Sequence, residues 1–102
     1  MYGLKDTVIE KIQKVFSKYE AIDKALLFGS RAKGNHRNGS DIDLSLVGET
    51  LDLQLLFRIE NEIDDLLLPY KIDLSIFHNI ENPDLIAHIN RVGIVFYQKI
   101  TS

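Results

Sequence analysis

Three aspartates carry most of the chemistry that this sequence could perform. Asp41 and Asp43 stand one residue apart in Ser40-Asp41-Ile42-Asp43-Leu44-Ser45-Leu46, and Asp73 stands in Lys71-Ile72-Asp73-Leu74-Ser75-Ile76. Both stretches alternate polar and apolar residues, the pattern of a strand with one covered face. Alternate side chains of a strand share a face. Asp41, Asp43 and Ser45 therefore point one way and Ile42, Leu44 and Leu46 the other, while Asp73 and Ser75 repeat the arrangement against Ile72, Leu74 and Ile76. The Cα atoms of Asp41 and Asp43 would lie roughly 6–7 Å apart, with a neighbouring strand about 4.8 Å away. Carboxylates this close raise one another's pKa. A hard divalent cation with oxygen ligands, Mg²⁺ or Mn²⁺, relieves that repulsion. A lone outward aspartate would be an ordinary solvated residue. Aspartate is depleted in strands, however, and two at i and i+2 with a third on another strand argue for a shared purpose.

The residues ahead of the pair suit a phosphate. Leu26-Leu27-Phe28 runs into Gly29-Ser30, followed by Arg31, Lys33 and Arg37. Glycine allows close approach of backbone to a ligand, and the N–H groups at a helix start attract anions. The Ser30 hydroxyl can donate to a phosphate oxygen, and the basic side chains add positive charge. Other motifs fail on their own terms. Gly29 and Gly34 have the glycine spacing of a P-loop, but Asn35-His36 stand where Lys-Ser/Thr is required. Leu46 occupies the position of the glycine in a calcium loop begun at Asp41. His36, His78 and His88 have no zinc spacing and read as surface or capping histidines. Ser30, Ser40 and Ser45 have no evident His/Asp relay.

The elements that must position these residues can be read from periodicity. Val8, Ile12, Val15, Phe16 and Tyr19 recur at helical spacing and predict a helix over 5–19. Strands are predicted over 24–28, 41–47, 71–77 and 94–98. A turn-rich segment spans 29–39, with a short helix after Gly29-Ser30. A second long helix is predicted over 50–68, stopped by Pro69, and a third opens at Asn82-Pro83 and ends at Gly93. This order describes one α/β (α+β) domain over 1–102, a small mixed sheet of about four strands with helices packed on one face. Hydrophobic residues make up 45% and charged residues 26% of the 102 positions, ordinary for a globular chain. The net charge of −3 argues against duplex DNA as a partner. There are no cysteines for disulfides or thiolate metal sites. The apolar core of a signal peptide is missing, and no run approaches a membrane span, so a cytoplasmic setting is expected.

Taken together, Gly29-Ser30-Arg31-Ala32-Lys33-Gly34, Ser40-Asp41-Ile42-Asp43-Leu44 and the later Ile72-Asp73-Leu74 resemble the minimal nucleotidyltransferase family of the DNA polymerase β-like superfamily. The family tends to have arginine where Lys33 stands, which keeps the charge and loses a bidentate phosphate contact. The resemblance implies two Mg²⁺ or Mn²⁺ ions held by Asp41, Asp43 and Asp73. It implies a nucleoside triphosphate, ATP, bound at Gly29, Ser30, Arg31 and Lys33. The implied reaction is transfer of AMP to a hydroxyl. It further implies a small helical HEPN-type partner encoded nearby, in some pairs a toxin silenced by adenylylation of a tyrosine. A binding module that neutralises such a partner without turnover, and nucleotidylation of a small molecule, are the alternatives. The closing stretch from Leu85 to Tyr97 is rich in apolar residues. A surplus there, or on the second long helix, would form a patch for a helical acceptor or for a second copy of the chain as a homodimer.

Overall fold

The computed structural model describes residues 1–100. Helices α1 (Asp6–Ser17), α2 (Ser30–Lys33), α3 (Leu53–Asp64) and α4 (Pro83–Val92) alternate with strands β1 (Lys24–Phe28), β2 (Ile42–Val47), β3 (Ile72–Ile76) and β4 (Ile94–Gln98). A single turn of 3₁₀ helix follows β3 at Phe77–Asn79. The sheet order is β3-β2-β1-β4. β1 is antiparallel to β2 and β4, and β2 is parallel to β3.

The core is built where periodicity places it. Val8, Ile12, Val15 and Phe16 of α1 and Leu56, Ile59 and Ile63 of α3 pack on Ala25, Leu27, Ile42, Leu44, Leu46, Leu74 and Ile76 of the sheet. The two helices are also clamped to each other at the surface, where the Tyr19 hydroxyl and Lys18 Nζ (3.2 Å) both donate to the Glu62 carboxylate. Burial and that carboxylate push the Tyr19 phenol up to about 12.

The second long helix is shorter than the apolar pattern over 50–68. Its start is set by Asp52, whose side chain accepts from Leu55 N–H as an N-cap. It ends because Leu67 takes a left-handed φ of 54°, which breaks helical continuation before Pro69. Asn82 caps α4 as expected, its side chain accepting from the N–H groups of Asp84 and Leu85. In β4, a bulge between the partners of Ala25 and Leu26 takes Phe96 out of the ladder. Its carbonyl is satisfied by the Gln13 side-chain amide at 2.8 Å.

Topology decides which side each crossover helix takes. β2, β3 and β4 all run the same way, so β2-α3-β3 and β3-α4-β4 are parallel crossovers that travel in opposite directions along the sheet. Since both must be right-handed, they lie on opposite faces, and the helices do not all share the one face expected from the sequence. α3 joins α1 over the main core. α4 reaches the aspartate face, where the His88 ring meets Phe28 edge-on and Ile89 is buried outside the main cluster. That arrangement consumes most of the apolar residues of the closing stretch. Phe96 and Ile89 are buried and, of the eight large apolar residues from Leu85 to Tyr97, Val95 alone is exposed. The expected surplus patch is therefore absent from that stretch. Among the described residues, the exposed large apolar side chains on a helix are Leu53 and Phe57 of α3.

Gly48 shows how tightly the sheet end is closed: a Cβ there would strike the Ala21 carbonyl oxygen, a backbone atom that cannot swing aside. Gly48→Ala should cost about 1–3 kcal/mol, read as a lower urea midpoint with an unchanged slope.

Candidate active site

The site lies at one end of the sheet, and strand direction puts it there. β1 ends where β2 and β3 begin, because β1 is antiparallel to β2 and β2 is parallel to β3. Gly29 at the end of β1, Asp41 and Asp43 at the start of β2, and Asp73 at the start of β3 therefore meet. The registers are direct: Phe28 pairs with Asp43, and Asp43 pairs with Asp73. Asp41 is exposed just ahead of β2, Asp43 is half-buried and Asp73 is exposed on the edge strand. Ser45 and Ser75 are neighbours in the same register, but Ser45 is fully buried and neither hydroxyl has a partner. The aspartate face is thus open only at its aspartate end.

Electrostatics marks Asp43 as the centre of the group. Its pKa is raised, first by burial and then by the charges of Asp73 and Asp41, with Lys71 opposing. Glu60 on α3 is raised by burial and by Asp64 and Asp73. Among the described residues no three acidic or histidine side chains form a ready-made cation cage. The mutual repulsion and the all-oxygen donor set still fit a hard divalent cation, which would be held by Asp43 with Asp41 and Asp73.

The turn at Gly29 is shaped around the same carboxylate. Gly29 takes φ 76°, and a Cβ on it would meet Asp43 Oδ2. Only glycine combines that backbone with that proximity. Ser30 opens α2, and Lys33 is exposed at its end. Arg31 does not take the place expected for it at a phosphate. Its side chain is 3% exposed. Nε and Nη2 donate to the Ser40 carbonyl (3.1 and 2.8 Å), Nη1 donates to the Tyr2 carbonyl (2.8 Å), and the guanidinium lies 5.1 Å from the centre of the Tyr70 ring. A buried cation is tolerated when its donors are matched in this way, and the result is a brace that fixes the backbone immediately before Asp41. The signal in the sequence was the charge alone, which does not distinguish a ligand-facing arginine from a buried one.

His88 was missed altogether. It reads as a surface or capping histidine, yet Gly29 N–H donates to its Nε2 at 3.3 Å across 59 residues of chain. No spacing rule reaches that far.

Comparison with known proteins agrees with this geometry. Residues 10–101 match the family described as polymerase beta, nucleotidyltransferase. The chain is 31% identical over 77 residues to the Methanocaldococcus jannaschii protein named "Putative protein adenylyltransferase MJ1217", covering 74% of this chain and 78% of that one. A toxin–antitoxin crystallised with AMP-PNP superposes with a TM-score of 0.69 at 21% identity, over 94% of this chain and 75% of that one. A complex of tri-AMPylated Shewanella oneidensis HEPN toxin with MNT antitoxin gives 0.68 at 18%, over 94% and 74%. These two likenesses are of fold.

Two outcomes test the site. Arg31→Lys keeps the charge and loses the fork that spans two carbonyls, so stability should fall by about 1–3 kcal/mol in urea unfolding. The raised pKa of Asp43 has a defined sign. The unfolded chain ionises this group first, so it subtracts stability as pH rises above the ordinary aspartate value, until the folded pKa is passed. Without divalent cations, Asp43→Asn should therefore gain on the wild type over that window and keep the gain at neutral pH. A difference that does not change with pH would refute the carboxylate cluster.

Proposed function

The chain belongs to the polymerase beta nucleotidyltransferase family, and from that premise we propose that it transfers AMP from ATP to a hydroxyl of a helical partner protein. The observation that carries this reading is the meeting of Asp41, Asp43 and Asp73 with the Gly29-Ser30 turn at one end of the sheet. The triphosphate would lie over Ser30 and Lys33, where Gly29 leaves room for it. The acceptor oxygen attacks the α-phosphorus and an O–P bond forms. The bond from that phosphorus to the bridging oxygen breaks, and pyrophosphate leaves. The proton of the hydroxyl passes to Asp73, the aspartate on the edge strand and the one open to an approaching partner. Divalent cations at Asp41, Asp43 and Asp73 would supply charge stabilisation for the attacking and leaving oxygens.

The acceptor class is supported by the relative named as an adenylyltransferase acting on protein and by the fold shared with an antitoxin bound to an AMPylated HEPN toxin. A tyrosine on a HEPN-type protein encoded nearby is the acceptor this favours, and the cytoplasm, where ATP is abundant, is the setting it implies. No helix among the described residues is long and apolar enough to cross a membrane.

The chain, ATP, Mg²⁺ and the product of the adjacent gene should be incubated together and both chains weighed by mass spectrometry. The partner should gain one or more adenylyl groups. Asp41→Asn and Asp43→Asn should each abolish the gain while the chain stays folded. A stable complex in which the partner keeps its mass would identify a binding module instead.

A further inference from the structure

Among the described residues, His88 is the one polar link between α4 and the nucleotide turn. Gly29 N–H donates to its Nε2 at 3.3 Å. Its place is set from two sides. The ring stands edge-on to Phe28, the residue before the turn, with centroids 6.2 Å apart. The next residue, Ile89, is 1% exposed and anchors the helix to the sheet. Gly29 needs such a tether. It has no side chain of its own to fix it and it holds a positive φ; its carbonyl is held from within the turn by Lys33 N–H at 3.1 Å, which leaves its amide to be fixed by His88. The bond also spends the Gly29 amide. That N–H is committed to α4, so the donors available to a phosphate begin at Ser30.

We propose that His88 is a positioning residue for the nucleotide: through Nε2 it holds the Gly29 peptide so that the Ser30 end of the turn faces the triphosphate. This rests on the reading of Gly29-Ser30 as the triphosphate site. The role requires an acceptor at Nε2 and not merely a ring, and two substitutions separate these. His88→Phe keeps the edge-on packing on Phe28 and removes the acceptor. His88→Gln gives up the ring and places an amide oxygen where Nε2 was.

Calorimetry with Mg²⁺ and AMP-PNP on the full chain, with thermal melting as a control of folding, decides the matter. His88→Phe should bind about five- to tenfold more weakly, on the scale of one hydrogen bond, while still melting cooperatively at a temperature only a few degrees below the wild type. His88→Gln should recover most of that loss. Wild-type affinity in the Phe variant, or a Gln variant as weak as Phe, would overturn the role of His88 while leaving the triphosphate site in place. A wild-type chain that binds no AMP-PNP would overturn the triphosphate site itself, and this role with it.

Discussion

Three like charges stay together at one end of this sheet because the other sides of the same strands cannot leave α1 and α3. Ile42 and Leu44 flank Asp43, and Ile72 and Leu74 flank Asp73. Ile42, Leu44, Leu46 and Ile76 are almost wholly buried. Each such side chain contributes about 1.5–3 kcal/mol by leaving water. Repulsion between partly solvated carboxylates is about 1 kcal/mol per close pair in a water-like dielectric. The apolar term wins, and the aspartates are held at a spacing they would not choose. The raised pKa of Asp43 is the trace of that imposition. A divalent cation is what would turn the imposed repulsion into a binding site.

The connection between β1 and β2 is the second constraint. Antiparallel neighbours can be joined by two residues, yet here the chain spends residues 29–41 on the task. That length would be a liability without internal order. Arg31 supplies the order by reaching from α2 to the Ser40 carbonyl and to the Tyr2 carbonyl. The Ser40 hydroxyl then accepts from Arg37 N–H at 2.9 Å and closes the last turn before Asp41. The most conspicuous basic residue of the motif thus works inside the fold. Lys33, at the end of α2, and Arg37, in the loop that follows, are the basic side chains left exposed.

The opposed crossovers complete the site from above. α3 is needed under the sheet to bury its apolar face, and handedness then sends α4 to the other side, where it packs on β1 beside Phe28 and Gly29. His88 arrives at Gly29 by this route. The large exposed apolar side chains of α3 are Leu53 and Phe57, on a crossover that packs against the sheet face opposite α4.

The sequence by itself determined the elements and the candidate chemistry. Alternation around Asp41, Asp43 and Asp73 located two strands and their polar faces, Asn82-Pro83 located the start of α4, and glycine after an apolar run located the turn. Local rules suffice for these because they depend on residues within a few positions of one another. Tertiary structure alone decided the rest. Strand order and direction made Asp43 and Asp73 neighbours, and nothing in either segment specifies its partner. The antiparallel β1–β2 pair brought Gly29 against Asp43. A left-handed Leu67 ended α3 early where the apolar pattern continued. Arg31 turned inward because two distant carbonyls and the Tyr70 ring awaited it, and His88 met an amide 59 residues away. Such contacts are chosen by the packing of whole elements, which a short window of sequence does not contain.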